Sequence, residues 1–167
     1  MKKNGLLLGA MVIATVALTL GFNAFAAGDA QKEITNLEHQ CIAATSTDQA
    51  ASLGCFDEND IVLYDFIPPL KYSGAKAVRG DLDNFFNNAK DVKGEFVELS
   101  VVTDGKLGVA RSIQHFTWTS KDGKPMEATL RVTDVLHKVQ GKWKVFHTHV
   151  SVPVNPGTGK AEMNLKS

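Results

Sequence analysis

The sequence is poor in the features that announce specialised chemistry. Only two of its 167 residues are cysteine, too few for a Cys-rich metal framework. Lys and Arg together number 18 and Asp and Glu 18, and no basic run occurs. The surplus of positive charge with which a nucleic-acid binder displaces counterions is therefore missing. There is no phosphate-cradling glycine loop, no dinucleotide fingerprint and no nucleophile motif, which removes the common cofactor and covalent chemistries from consideration. Internal repeats and low-complexity tracts are also absent. What is present is the length and the 44% hydrophobic content of one globular domain.

The first residues stand apart from the rest. Lys2 and Lys3 precede an apolar run from Gly5 to Phe22, and Ala24, Phe25 and Ala26 follow it. A short positive segment, an apolar stretch and an Ala-x-Ala site are the parts of a secretory signal, here residues 1–26 with cleavage after Ala26. An uncleaved membrane anchor is the alternative, because the run approaches the length that spans a bilayer. Cleavage takes two lysines with it and leaves a faintly acidic, exported domain, residues 27–155, followed by a tail, 156–167, whose Pro156, Gly157 and Gly159 predict flexibility. The expected location is the periplasm or the exterior, with no membrane contact once the signal is gone.

In that oxidising setting Cys41 and Cys55 are expected to pair. Ile34, Leu37, Cys41 and Ala44 recur at helical spacing, and a second short helix carries Ala50, Leu53 and Phe56. An antiparallel helical hairpin turning near Asp48 would set the two thiols side by side; two buried free thiols are the alternative.

After Asn59 the pattern changes. Ile61–Ile67 reads as a strand stopped by Pro68 and Pro69, with Leu70–Ser73 as a short partner, and a third helix follows over about 74–89. Four longer strands are predicted near 95–103, 106–120, 124–138 and 142–152, joined at Asp104-Gly105, Asp122-Gly123 and Gln140-Gly141. The layout is α+β, with helices on one face of a curved sheet. If each pair fills the two central turn positions, Glu98, Arg111, Asp134 and His147 form one row of charge across four strands. His115 and His149 share that face with Leu130, Val132 and Val145. A mostly apolar face crossed by charge reads either as a ligand-pocket wall or as a solvated ladder of ion pairs, and a one-residue bulge would invert the assignment beyond it.

The stretches "ENDIVLYDFIPPLKYSGAKAVRGDLDNFF" and "RVTDVLHKVQGKWKVFHTHVSVPVNP" resemble the SnoaL-like and ketosteroid isomerase-like group of the nuclear transport factor 2 superfamily, over roughly 31–155. The resemblance implies a cystatin-like cone, in which a strongly curved, mixed but mainly antiparallel sheet wraps around N-terminal helices and a cavity. It also implies homodimers formed through the sheet. "YDFIPP" is similar to the isomerase segment holding the proton-shuttling Asp, which puts Asp65 in that role. "RVTDV" is similar to the stretch of the hydrogen-bond-donating Asp, which puts Asp134 there, while the position of the donor Tyr holds Cys41. "GVARSIQHF" and "GKWKVFHTHVS" also resemble the association domain of calcium/calmodulin-dependent protein kinase II, in which cavity arginines hold small carboxylates, and Arg111 matches one of them.

These readings converge on a cavity protein that binds a small molecule without cofactor or metal. Asp65, Asp134 and His147 are the catalytic candidates; for Asp65, a carboxyl among Leu63, Tyr64, Phe66 and Ile67 would be partly desolvated, as a general base requires, the alternative being an exposed strand-end Asp that caps the turn before Pro68. Arg111, His149, Tyr64, Tyr72, His115 and Trp118 are the ligand-binding candidates. Acid/base turnover of a small apolar carbonyl compound is one reading. A non-catalytic binding or dimerisation module is the other.

Overall fold

The computed structural model describes residues 28–47 and 49–166, so the segment expected to be an export signal lies outside the described residues. Helix α1, 28–44, is followed by the short α2 (Gln49–Leu53), then β1 (Val62–Tyr64), β2 (Tyr72–Ser73) and α3 (Ala75–Asn88). Four long strands complete the fold: β3 (Ala89–Thr103), β4 (Leu107–Ser120), β5 (Pro125–Val139) and β6 (Lys142–Ser151). They form one six-stranded sheet in the order β2-β1-β6-β5-β4-β3, antiparallel except where β1 runs parallel to β6. Among the described residues no helix is long and apolar enough to cross a membrane.

Helix α1 lies against the concave face of the sheet along Ala30, Ile34, Glu38 and Ile42, all buried. That stripe steps by four residues and differs from the expected Ile34, Leu37, Cys41, Ala44 face by a small rotation, which leaves Leu37 and Cys41 at its border. Ile34 is fully buried and seats on Gly108 of β4, where any Cβ would meet its Cδ1 directly. With Ile61, Val78, Leu136 and Val145 it forms the main core. Cys41 and Cys55 are joined in a disulfide. Cys55 is held from the other side as well: its carbonyl accepts the Val145 amide at 3.0 Å, and the Asp57 amide donates to the Val145 carbonyl at 2.8 Å.

All three expected hairpins form, but two turn differently, and the register follows. At the first, Gly105 takes φ 90° as the first central residue of a Gly105-Lys106 turn, and Asp104 Oδ1 accepts the amides of Lys106 and Leu107, both at 2.8 Å. This moves the pairing by two residues, sets Ser100 opposite Arg111, and preserves the faces. At the second, Ser120 and Lys124 pair around a three-residue loop with Gly123 at φ 78°. The shift of one residue sets Ala110, not Arg111, opposite Asp134. The third turn, Gln140-Gly141, has positive φ at both residues and the expected register. A bulge at Phe146 then displaces β6, so that Asp134 faces Thr148 instead of His147.

The tail was expected to be loose, yet its described part returns to the sheet. Val154 bridges Ala161, and the Thr129 amide of β5 donates to the Met163 carbonyl at 2.6 Å.

Candidate functional site

Between α1, α3 and the concave face of the sheet lies a cavity of about 520 Å³. Its wall is mainly apolar and aromatic, with Phe66, Phe96, Phe116 and Trp118 among the lining side chains. Four carboxyls interrupt it: Glu38 from α1, Asp65 just after β1, Asp81 from α3 and Asp134 from β5. No Lys, Arg or His is among the lining residues. Among the described residues no cation lines the cavity to offset this negative charge, and burial pushes the pKa of Glu38, Asp65 and Asp134 upward.

Glu38 is 5% exposed, and its Oε1 has no hydrogen-bond partner among the described residues. Burial, reinforced by the nearby Asp134, pushes its pKa up to about 9. Asp134 is also buried; burial raises it to about 6, opposed by a hydrogen bond with Thr148, its neighbour across β6. Both carboxyls are thus held toward their protonated forms by burial, Glu38 with the added push of its acidic neighbour. Asp65 is raised to about 6, first by burial, against the Phe66 amide that donates to its Oδ1 at 2.7 Å, and further by Asp81. Asp81 also opens onto a shallow neighbouring cleft that contains Tyr72. The Tyr72 hydroxyl donates to the Pro68 carbonyl at 3.1 Å, and burial followed by Asp81 raises its pKa to about 12.

Of the residues singled out in the sequence, Asp65, Asp134 and Trp118 line this cavity. The other candidates do not line it. His147 lies on the outer face, its Nδ1 3.0 Å from the Val62 carbonyl and its ring edge-on to Tyr64. His149 and Tyr64 are exposed beside it. His115 points outward to Thr129 Oγ1, at 3.3 Å. Arg111, exposed, donates to Ser100 Oγ at 3.1 Å. The predicted Glu98–Arg111–Asp134–His147 row does not form, because the second turn and the Phe146 bulge each move one partner across the sheet. Among the described residues no group of three or more metal-ligating side chains comes together.

Residues 34–155 match the family model of the SnoaL-like domain. The chain belongs to the SnoaL-like domain family. This places it in the nuclear transport factor 2 superfamily, and solved structures agree. A nuclear transport factor 2-like protein of unknown function from Pseudomonas putida KT2440 is similar with TM-score 0.75 and 25% identity, over 84% of this chain and 98% of that one. A nuclear transport factor 2 superfamily protein from Salmonella enterica serovar Typhimurium aligns with TM-score 0.70 and 18% identity, over 81% and 99%. A ketosteroid isomerase-like protein from Erwinia carotovora atroseptica aligns with TM-score 0.62 and 21% identity, over 72% and 94%. No curated protein matches the chain.

Two carboxyls of the SnoaL-like cavity escaped the sequence reading, although each carries a signal. Glu38 stands four residues after Ile34 and four before Ile42, a lone acid on the buried stripe of α1. Asp81 stands between Val78 and Leu82 on the inward side of α3. A charge at the centre of an apolar helical face is costly unless it has work to do or a proton to keep.

Proposed function

We propose that this SnoaL-like protein is an exported, cofactor-independent acid/base enzyme acting on a small, largely apolar carbonyl compound held in the cavity. The observation that carries the reading is the convergence of Glu38, Asp65 and Asp134 on an apolar cavity, with no cationic side chain among the lining residues. With a pKa of about 6, Asp65 is ionised at neutral pH and more basic than an ordinary carboxylate. In the proposed step it takes the proton from a carbon next to the carbonyl, the C–H electron pair becomes a carbon–carbon double bond, and the carbonyl π pair moves to oxygen. Glu38, whose proton is retained by burial and by the neighbouring Asp134, donates a hydrogen bond to that oxygen. Asp65 then returns the proton to the same or a conjugated carbon, so the reaction balances as an isomerisation. His147, Arg111 and His149 have no part in this mechanism, since they face away from the cavity.

Export is supported by the apolar run before Ala26 and by the Cys41–Cys55 disulfide, a bond that persists in oxidising compartments. Pairing into a homodimer through the outer sheet face completes the proposal.

The test is a thermal-shift screen of the chain against apolar ketones, steroids and small carboxylates, followed by turnover assays on each hit. A ligand at about 100 times its Kd adds about 2.7 kcal/mol of stability. A ketone that binds and is turned over should lose turnover by about 100-fold or more with Asp65→Asn while still binding. Equal turnover by the variant removes Asp65 from the mechanism. Hits that bind and never react leave a binding module of the same fold.

A further inference from the structure

The stretch beyond residue 155, outside the family match, takes a built conformation. Asn155 organises it: its side-chain Oδ1 accepts the amides of Gly157 and Thr158 at 3.0 and 3.2 Å, and its carbonyl accepts Gly159 N at 2.8 Å. Its own amide donates to the Lys160 carbonyl at 2.9 Å. Glu162 N then donates to the Pro153 carbonyl at 2.8 Å, so the chain returns antiparallel to its own start. The landing point is set by the sheet. Pairing of β6 with β5 ends at Arg131 and Ser151, so the next outward amide of β5, that of Thr129, lies beyond β6. The Met163 carbonyl takes that amide.

This docking places the Met163 side chain in the cavity wall, packed on Ala128, Leu130 and Val132 beside Phe66, Phe116 and Trp118. That part of the wall is thioether and aromatic carbon. The carboxyls enter the cavity from α1, α3, the segment after β1 and Asp134 of β5.

We propose that residues 154–163 form a strap closing one end of the ligand cavity, and that Met163 is its specificity-determining wall, setting the length of the uncharged, apolar end of the ligand. The inference rests on the cavity being the ligand site but not on turnover there. Methionine suits the task because it is long, unbranched and polarisable against aromatic rings. Anchored through its backbone carbonyl, it can be changed in size without touching the hydrogen bond that holds the strap.

The experiment measures affinities of straight-chain 2-alkanones of increasing length by fluorescence of the cavity residue Trp118 and by thermal shift. It uses the full chain, Met163→Ala, Met163→Leu, Met163→Trp and a chain ending at Asn155. In the parent, affinity should rise about fourfold per methylene and then break off at a limiting length. Met163→Ala and the shortened chain should move the break to ketones about two or three carbons longer, Met163→Trp should move it to shorter ones, and Met163→Leu should leave it in place. A break that stays put in all variants overturns the proposal, as does a parent series with no break. If the breaks stay put while Asp65→Asn abolishes turnover, this inference fails alone. If they shift while the parent turns over none of the ketones it binds, the enzymatic reading fails alone.

Discussion

Glu38 carries the cost of burying an acid without a partner, and that cost has a measurable sign. Its folded-state pKa lies near 9, against 4.5 for the free side chain. Between those values the folded protein binds more protons at Glu38 than the unfolded chain does, so the contribution of this group to stability is full below about pH 4.5 and is lost as pH rises toward 9. Asp65 and Asp134 add the same slope over a narrower window, from 3.8 to about 6. Glu38→Gln keeps the shape and removes the ionisation. The variant should therefore melt at a more constant temperature between pH 6 and pH 9 than the parent, and above the parent at the alkaline end. Parallel pH curves for the two proteins would show that Glu38 does not hold its proton in the folded state. Catalysis carries a second signature: kcat/KM of a turned-over ketone should fall below about pH 6, where Asp65 takes up its proton. Arg111→Ala, a change on the outer face, should leave ligand affinity unaltered. An affinity loss of tenfold or more would return Arg111 to the site.

At the scale of elements, the disulfide ties the end of α1 to the segment that follows α2 and pairs with β6. It closes a loop across a sequence separation of 14, which corresponds to about 3 kcal/mol in the chain-entropy account. Replacing both cysteines by serine should lower the Tm by about 10 °C, and a melting curve in reductant should reproduce the loss. An unchanged Tm would mean that the bond does not contribute to stability. The order of the elements was legible because each is bounded by a strong local signal: the helical spacing of α1 and α3, Pro68-Pro69 after β1, and a glycine at each hairpin. Register was less legible, because the same Asp-Gly pair supports turns of different length. Gly105 serves as a first central residue and Gly123 as the third residue of a longer loop, and nothing local distinguishes them. The Phe146 bulge has no sequence signal beyond the stacking of its ring on His137, centroids 4.5 Å apart, which requires the fold to be known. Each one-residue shift exchanges the faces of a strand. Asp65, Asp134 and Trp118 line the cavity, Asp134 with other cross-strand neighbours than expected, while the histidines and Arg111 lie outside it.

For the molecule as a whole, that exchange leaves an outer sheet face with a character of its own. Val102, Val109, Val135 and His147 are successive cross-strand neighbours there, and Val62 continues the row into β1. Val102 is 52% exposed in the single chain, and Val109, Val135 and His147 are half-buried. A row of four valines and one histidine across five strands, on the side of the sheet opposite the cavity, is a surface that a second copy of the same chain can cover, because a two-fold axis sets the row against itself. The proposed dimer would then leave both cavities open to ligand. Val109 sits near the middle of the row, and Val109→Asp places a charge where the partner's valines would lie, a substitution the isolated chain tolerates because the site is partly solvated. Sedimentation velocity at micromolar concentration should show about twice the chain mass for the parent and a single chain for the variant. Ligand affinity and the pH dependence tied to Glu38 should stay the same in both, since the sheet separates this face from the cavity. A parent that sediments as a monomer ends the dimer proposal. A variant that dissociates and also loses ligand would show instead that pairing shapes the cavity, and that the outer face and the site act as one unit.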